Sequence, residues 1–224
     1  MKKKVLMIAA IAAGVFTTTN VNAQEFKPAG GEKNVEVNFS PLGGSPIGIN
    51  NLRLRYFTSS DMAIRVGFSV TSSSTTGIAL GGTNNDIELE NVNSSFGFSI
   101  NPGIEKHFEG TDRLSPYVGA ELNFALNSSS QTQDVINVAG DGVEGQTEVN
   151  DGSTTFGLNL LVGADWYFSK HIYMGTEVGF GFASTSNADT ENVPLTGDTV
   201  ETPNGGSFNL GPNFNSAIRL GFLF

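Results

Sequence analysis

From Ser207 to Phe224 the sequence reads SFNLGPNFNSAIRLGFLF. Phe214, Ser216, Ile218, Leu220, Phe222 and Phe224 share one face of a strand; Asn213, Asn215, Ala217, Arg219 and Gly221 share the other. A period of two marks a β-strand with two unlike sides. The apolar side is aromatic-rich and runs to Phe224. A soluble protein rarely leaves Phe-Leu-Phe as a free end, whereas a strand against lipid places that face naturally.

Seven further segments alternate in the same way: 34–40, 48–58, 62–71, 94–108, 115–127, 154–168 and 171–184. In the sixth of the eight, Phe156, Leu158, Leu160, Val162, Ala164, Trp166 and Phe168 oppose Gly157, Asn159, Gly163 and Asp165. Residues 59–61, 109–113 and 169–170 are short connections, while 40–47, 72–93, 128–153 and 185–206 are longer polar loops. Short and long connections therefore alternate. Spanning barrels have an even number of strands, short turns at one end and longer loops at the other. The expected fold is all-β, a transmembrane eight-stranded antiparallel up-and-down β-barrel over 34–224. A soluble sandwich gives no reason for one end to collect the long loops.

The other end of the chain agrees. Lys2, Lys3 and Lys4 precede an apolar run from Val5 to Phe16, then Val-Asn-Ala at 21–23. This reads as a cleaved secretory signal peptide over 1–23, with residues 24–33 a short periplasmic segment. The apolar run is too short for a spanning helix, which needs about 20 residues. Removing the three signal lysines leaves 9 basic and 22 acidic residues, a formal charge of −13. That balance argues against nucleic acid, which selects a basic face. With no cysteine in the chain, disulfides and thiolate metal sites are excluded, and no cofactor is expected.

Aromatic residues gather beside the short turns. Tyr56, Phe57, Phe108, Tyr117, Trp166, Tyr167, Phe168 and Tyr173 are expected to form a periplasmic interfacial girdle. Phe39, Phe68, Phe96, Phe124 and Phe182 mark the outer boundary more weakly.

With this architecture, the leader and the terminal Phe224, the chain resembles the small eight-stranded outer-membrane β-barrels, the OmpA/OmpX-like and porin-like group. The resemblance covers nearly the whole mature chain. It implies the outer membrane of a Gram-negative bacterium, with both termini periplasmic and the long loops extracellular. It also implies that Leu220, Phe222 and Phe224 form a signal for the barrel-insertion machinery. The glycine usual upstream in that signal is replaced here by Arg219.

The lumen face collects Glu36, Arg53, Arg55, Arg65, Glu105, Glu121, Asp165, Glu177 and Arg219. An eight-stranded barrel is just wide enough to be filled by side chains. Five acids and four bases suggest a salt-bridged plug, because desolvated charges need partners. A narrow ion pathway is the other reading.

The loops at 72–93, 128–153 and 185–206 hold twelve acidic residues and no Lys or Arg. They are expected to be mobile, solvated extensions serving solubility, partner recognition or divalent-cation binding, although Asp141–Asp151 fits no EF-hand spacing. His107 and His171 lie beside short turns and are expected as polar interface residues. No nucleophile or phosphate-cradling motif accompanies them, so no enzyme is expected. The expected partners are outer-membrane lipid, the insertion machinery and another outer-membrane protein. Three roles compete: a structural or surface-interaction barrel, an accessory subunit of a larger complex, and a small porin.

Overall fold

The computed structural model describes residues 26–39, 47–137, 139–214 and 218–224. The expected signal peptide, the 40–46 connection, and Asn215, Ser216 and Ala217 lie outside the described residues. For Phe39, residues 47–50, Asn213 and Phe214, only the backbone is described.

The strands are β1 (Lys33–Phe39), β2 (Ile47–Ser59), β3 (Met62–Gly81), β4 (Ile87–His107), β5 (Leu114–Ile136) and β6 (Val143–Tyr167). They continue with β7 (Ile172–Asn187), β8 (Thr190–Val193), β9 (Val200–Thr202), β10 (Gly206–Phe214) and β11 (Ile218–Leu223). β1 to β7 pair in order, all antiparallel. β10 and β11 both pair with β7 and together form the eighth wall strand. β11 also pairs with β1, from Asn34↔Leu223 to Phe39↔Ile218, so the ring closes. The fold is an eight-stranded antiparallel barrel.

Burial is inverted relative to a soluble protein. Leu160 is 61% exposed, Val162 58%, Phe180 54% and Ile104 54%, while four arginines are buried. Most apolar residues of the wall point outward and most charged ones inward, on the two sides that period-two geometry provides. On β6 the outward band runs from Trp166 to Phe156. Ten residues span about 33 Å along a strand. At a tilt near 45° that is about 23 Å of height, close to the roughly 25 Å apolar band of outer-membrane barrels.

The long connections differ from the expectation of mobile loops, except where the alternation of Ile87, Leu89 and Val92 already points to strand continuing beyond the bilayer. The β3–β4 ladder continues to Gly81↔Ile87, so only residues 82–86 turn. The β5–β6 ladder continues to Ile136↔Val143. In the third connection, β8 pairs with the outer part of β6, and β9 pairs with β8. What reads as three polar loops is mostly β-structure projecting beyond the apolar band. Ser and Thr suit a pleated surface that buries neither face, and the backbone ladder holds it without apolar alternation. The β3–β4 turn is tight because Gly82 (φ 84) and Asn85 (φ 54) adopt left-handed conformations, which Gly and Asn tolerate best.

Candidate functional site: the charged lumen

Parity sends nine charged side chains into the barrel. Glu36 comes from β1, Arg53 and Arg55 from β2, Arg65 from β3 and Glu105 from β4. Glu121 comes from β5, Asp165 from β6, Glu177 from β7 and Arg219 from β11. All nine are buried.

Each arginine bridges two or more carboxylates from different strands. Arg65 donates from Nε to Glu121 at 2.8 Å, and from Nη1 to Glu105 at 2.7 Å and Glu177 at 3.0 Å. Arg55 reaches Asp165 and Glu36, both at 2.5 Å, and Glu105 at 3.2 Å. Arg219 pairs with Glu36 at 3.0 Å and Asp165 at 3.1 Å. Arg53 joins Glu36 at 3.3 Å to Glu177 at 3.1 Å. Planar guanidinium groups suit this role because their five donors can serve several carboxylates at once.

Tyrosines complete the network. The Tyr117 hydroxyl donates to Glu177 at 2.8 Å and accepts from Arg219 at 2.6 Å. Tyr173 donates to Glu36 at 2.5 Å. The Arg55 guanidinium lies 5.3 Å and 5.6 Å from the ring centres of Tyr117 and Tyr173, within cation–π range. Two glycines make room. A Cβ at Gly175 would lie 2.3 Å from an Asp165 oxygen, and one at Gly221 2.0 Å from the Tyr173 ring.

The expected periplasmic girdle splits in two. Tyr56, Phe108, Trp166 and Phe168 are exposed on the outer face, with the Trp166 and Phe168 rings 5.7 Å apart. Phe57, Tyr117, Tyr167 and Tyr173 are instead buried inside the barrel. Strand parity decides this: Tyr117 stands four residues from Glu121, Tyr173 four from Glu177 and Phe57 two from Arg55, each on the lumen face. Closeness to a turn does not set which side a ring faces.

His107 is likewise inside, not at the interface. Its Nδ1 lies 2.9 Å from Ser115 Oγ and its Nε2 3.2 Å from Glu105. This hydroxyl–imidazole–carboxylate line was not read from the sequence. The residues stand eight and two apart in sequence and meet across the β4–β5 hairpin, where His107 pairs with Tyr117. The line is packed shut. Phe57 and Tyr117 flank the imidazole at 5.2 Å and 5.1 Å, and Glu105 is also held by Arg55 and Arg65. Ser115 and His107 are both buried, 4% exposed each, within this packing. His171 stays at the rim, with Nδ1 3.0 Å from the Leu223 carbonyl and its ring 6.0 Å from that of Phe222.

Leu220, Phe222 and Phe224 line the outward side of the closing strand, and the Phe222 and Phe224 rings stack at 6.3 Å. The acidic residues of the projecting hairpins are dispersed. Among the described residues, no group of three or more His, Cys, Asp or Glu side chains could hold a metal. Asp134 instead ties strands together, accepting from the Glu90 amide at 2.9 Å and from Gln146 at 2.8 Å. These bonds hold its carboxyl below the ordinary value, the Glu90 amide contributing most. Asp61, in the β2–β3 turn, is also lowered, first by its bond to Lys106 and then by Ser59.

The solved structures similar to this chain include two outer-membrane barrels. CarO2 of Acinetobacter baumannii is 10% identical with a TM-score of 0.40, covering 86% of this chain and 98% of that one. The N-terminal β-barrel domain of Pseudomonas aeruginosa OprF is 12% identical with a TM-score of 0.33, covering 88% of this chain and 100% of that one. No curated protein sequence matches the chain. The sequence pattern of the OmpA-OmpF-like porin family matches residues 45–192, more than half of the chain. An eight-stranded ring with an apolar exterior and a match of that extent make this chain a member of the OmpA-OmpF-like porin family of outer-membrane β-barrels.

Proposed function

We propose that this protein is a non-enzymatic, non-conducting outer-membrane barrel. Its lumen is closed at the short-turn end by the arginine–carboxylate network, and its projecting hairpins form an acidic surface scaffold. Both termini face the periplasm and the long hairpins face outward. The observation that carries the reading is Arg65. It is fully buried and bound to carboxylates on β4, β5 and β7, so it ties four parts of the wall together across the lumen. An ion would have to break several buried pairs to pass, and each uncompensated charge costs several kcal/mol. The outward row Leu220, Phe222 and Phe224 supports recognition by the insertion machinery.

The test is conductance of the folded protein in a planar lipid bilayer. The expected result is no discrete current at moderate voltage. A stable, reproducible open current from the unmodified protein would overturn the closed-lumen reading and favour a small porin. Extraction in mild detergent tests the scaffold role. Stoichiometric co-purification with another membrane protein would turn the reading toward an accessory subunit.

A further inference from the structure

Outward of the charge network, the lumen changes chemistry. At its floor, a cavity of about 280 Å³ is lined by Arg53, Glu121 and Glu177 below and by Asn51, Asn101, Asn123 and Asn159 around the sides. The four asparagines come from β2, β4, β5 and β6, so their amides converge from four parts of the wall. Gly67 leaves the space between two of them open: a Cβ there would lie 3.4 Å from Asn101 and 3.7 Å from Asn51. Two further cavities, of about 520 and 300 Å³, lie outward of this ring. Among the described residues, their walls are mostly Ser, Thr, Asn, Gln and Gly, with Asp151 as the one charged lining residue.

The shaft is thus nearly uncharged between a charged floor and an acidic rim. A charged solute entering it would lose hydration without gaining a counter-charge, at a cost of several kcal/mol. A neutral solute carrying many hydroxyls loses less, because carboxamides can both accept and donate; the Asn101 oxygen already lies 3.5 Å from Ser99 Oγ, which leaves its NH2 to donate. The two outer cavities fall in the range of small-molecule sites, about 300–1,000 Å³, and the asparagine-lined one, at about 280 Å³, lies just below it. An eight-stranded lumen is also too narrow for more than one chain of sugar rings. We propose that this blind shaft binds a neutral saccharide unit, with the asparagine ring as its hydrogen-bonding floor. The inference rests on the closed-lumen reading. The sugar is either free in the medium or the end of a surface glycan.

The test uses the mature protein, ¹⁵N-labelled and folded in micelles, and follows side-chain amide resonances. Glucose and maltose should produce saturable shifts confined to the asparagine amides at concentrations up to about 100 mM. Asn101→Leu with Asn123→Leu should weaken binding about tenfold or more. Gly67→Leu, which fills the shaft without removing an amide, should do the same if the double variant does not fold. Dextran at equal end-group concentration separates the sources: competition with glucose assigns the site to glycan ends, and failure to compete assigns it to free sugar. No saturable shift with either sugar, equal affinity in the variants, or tighter binding of lysine or acetate would overturn the proposal. A bilayer current would instead fail the closed-lumen reading, so the two failures remain distinguishable.

Discussion

Arg55 Nη1 lies 2.5 Å from Asp165 Oδ2, joining β2 to β6, which face each other across the ring of eight strands. The tie runs through the middle of the barrel, so it braces opposite walls as well as neutralising two charges. Arg55→Met should destabilise the barrel by about 3–5 kcal/mol, because it strands buried carboxylates. Adding Asp165→Leu should recover part of that loss, with a coupling of about 0.5–3 kcal/mol. Unfolding in urea, followed by the folded and unfolded gel bands, measures the cycle. Additive losses would mean that the tie is incidental.

Trp166 is the single tryptophan of the chain, and it projects outward beside Phe168 at the short-turn end. In vesicles containing brominated lipids, its fluorescence should be quenched most by bromines near the headgroups. Strongest quenching at the bilayer centre would displace the proposed membrane boundary.

The Asp134 carboxyl titrates below the ordinary 3.8, mainly because it accepts from the Glu90 amide. Its folded value is depressed, so its stabilisation is present above the unfolded value and is lost as pH falls through the folded one. Protection of the Glu90 amide against hydrogen exchange should therefore decline below about pH 4. In Asp134→Asn that pH dependence should vanish. Equal profiles for the two proteins would show that the carboxylate does not hold the β4–β5 extension.

Ser115 should be chemically inert despite its His107 partner. It is 4% exposed, and the imidazole is flanked by two rings. A fluorophosphonate probe should leave the folded protein unlabelled. Covalent labelling at Ser115 would reopen the enzyme reading.

Much of this architecture is legible in the sequence, because barrel strands obey one rule of parity. Arg53 and Arg55 on β2, and Asp165 opposite Trp166 on β6, declare their sides through alternation alone. Nearness to a turn is a weaker guide: it puts Tyr56, Phe108, Trp166 and Phe168 on the outer face, as found, but not their neighbours. Tyr117, Tyr167 and Tyr173 sit near turns, yet their spacing from Glu121, Asp165 and Glu177 puts them inside. Ser72–Thr76, Gln131–Ile136 and Val143–Asn150 carry no sustained apolar alternation, so their strand character is not legible in the sequence. A backbone ladder needs no particular side chain, and only the register of the adjoining strand extends it. The Ser115–His107 contact needed the β4–β5 register, which short-range pattern does not supply.

Arg219 belongs to the strand that closes the ring, and its guanidinium reaches Glu36 on β1 and Asp165 on β6. Before that strand docks, five carboxylates share three guanidinium groups. An open sheet would keep its concave side wet, since water must solvate the surplus charge until the seam shuts. Sealing the wall and completing the charge network are then a single event. A half-assembled chain exposes a hydrated, negatively charged cleft, and only the completed one can rest in lipid with its interior charges satisfied.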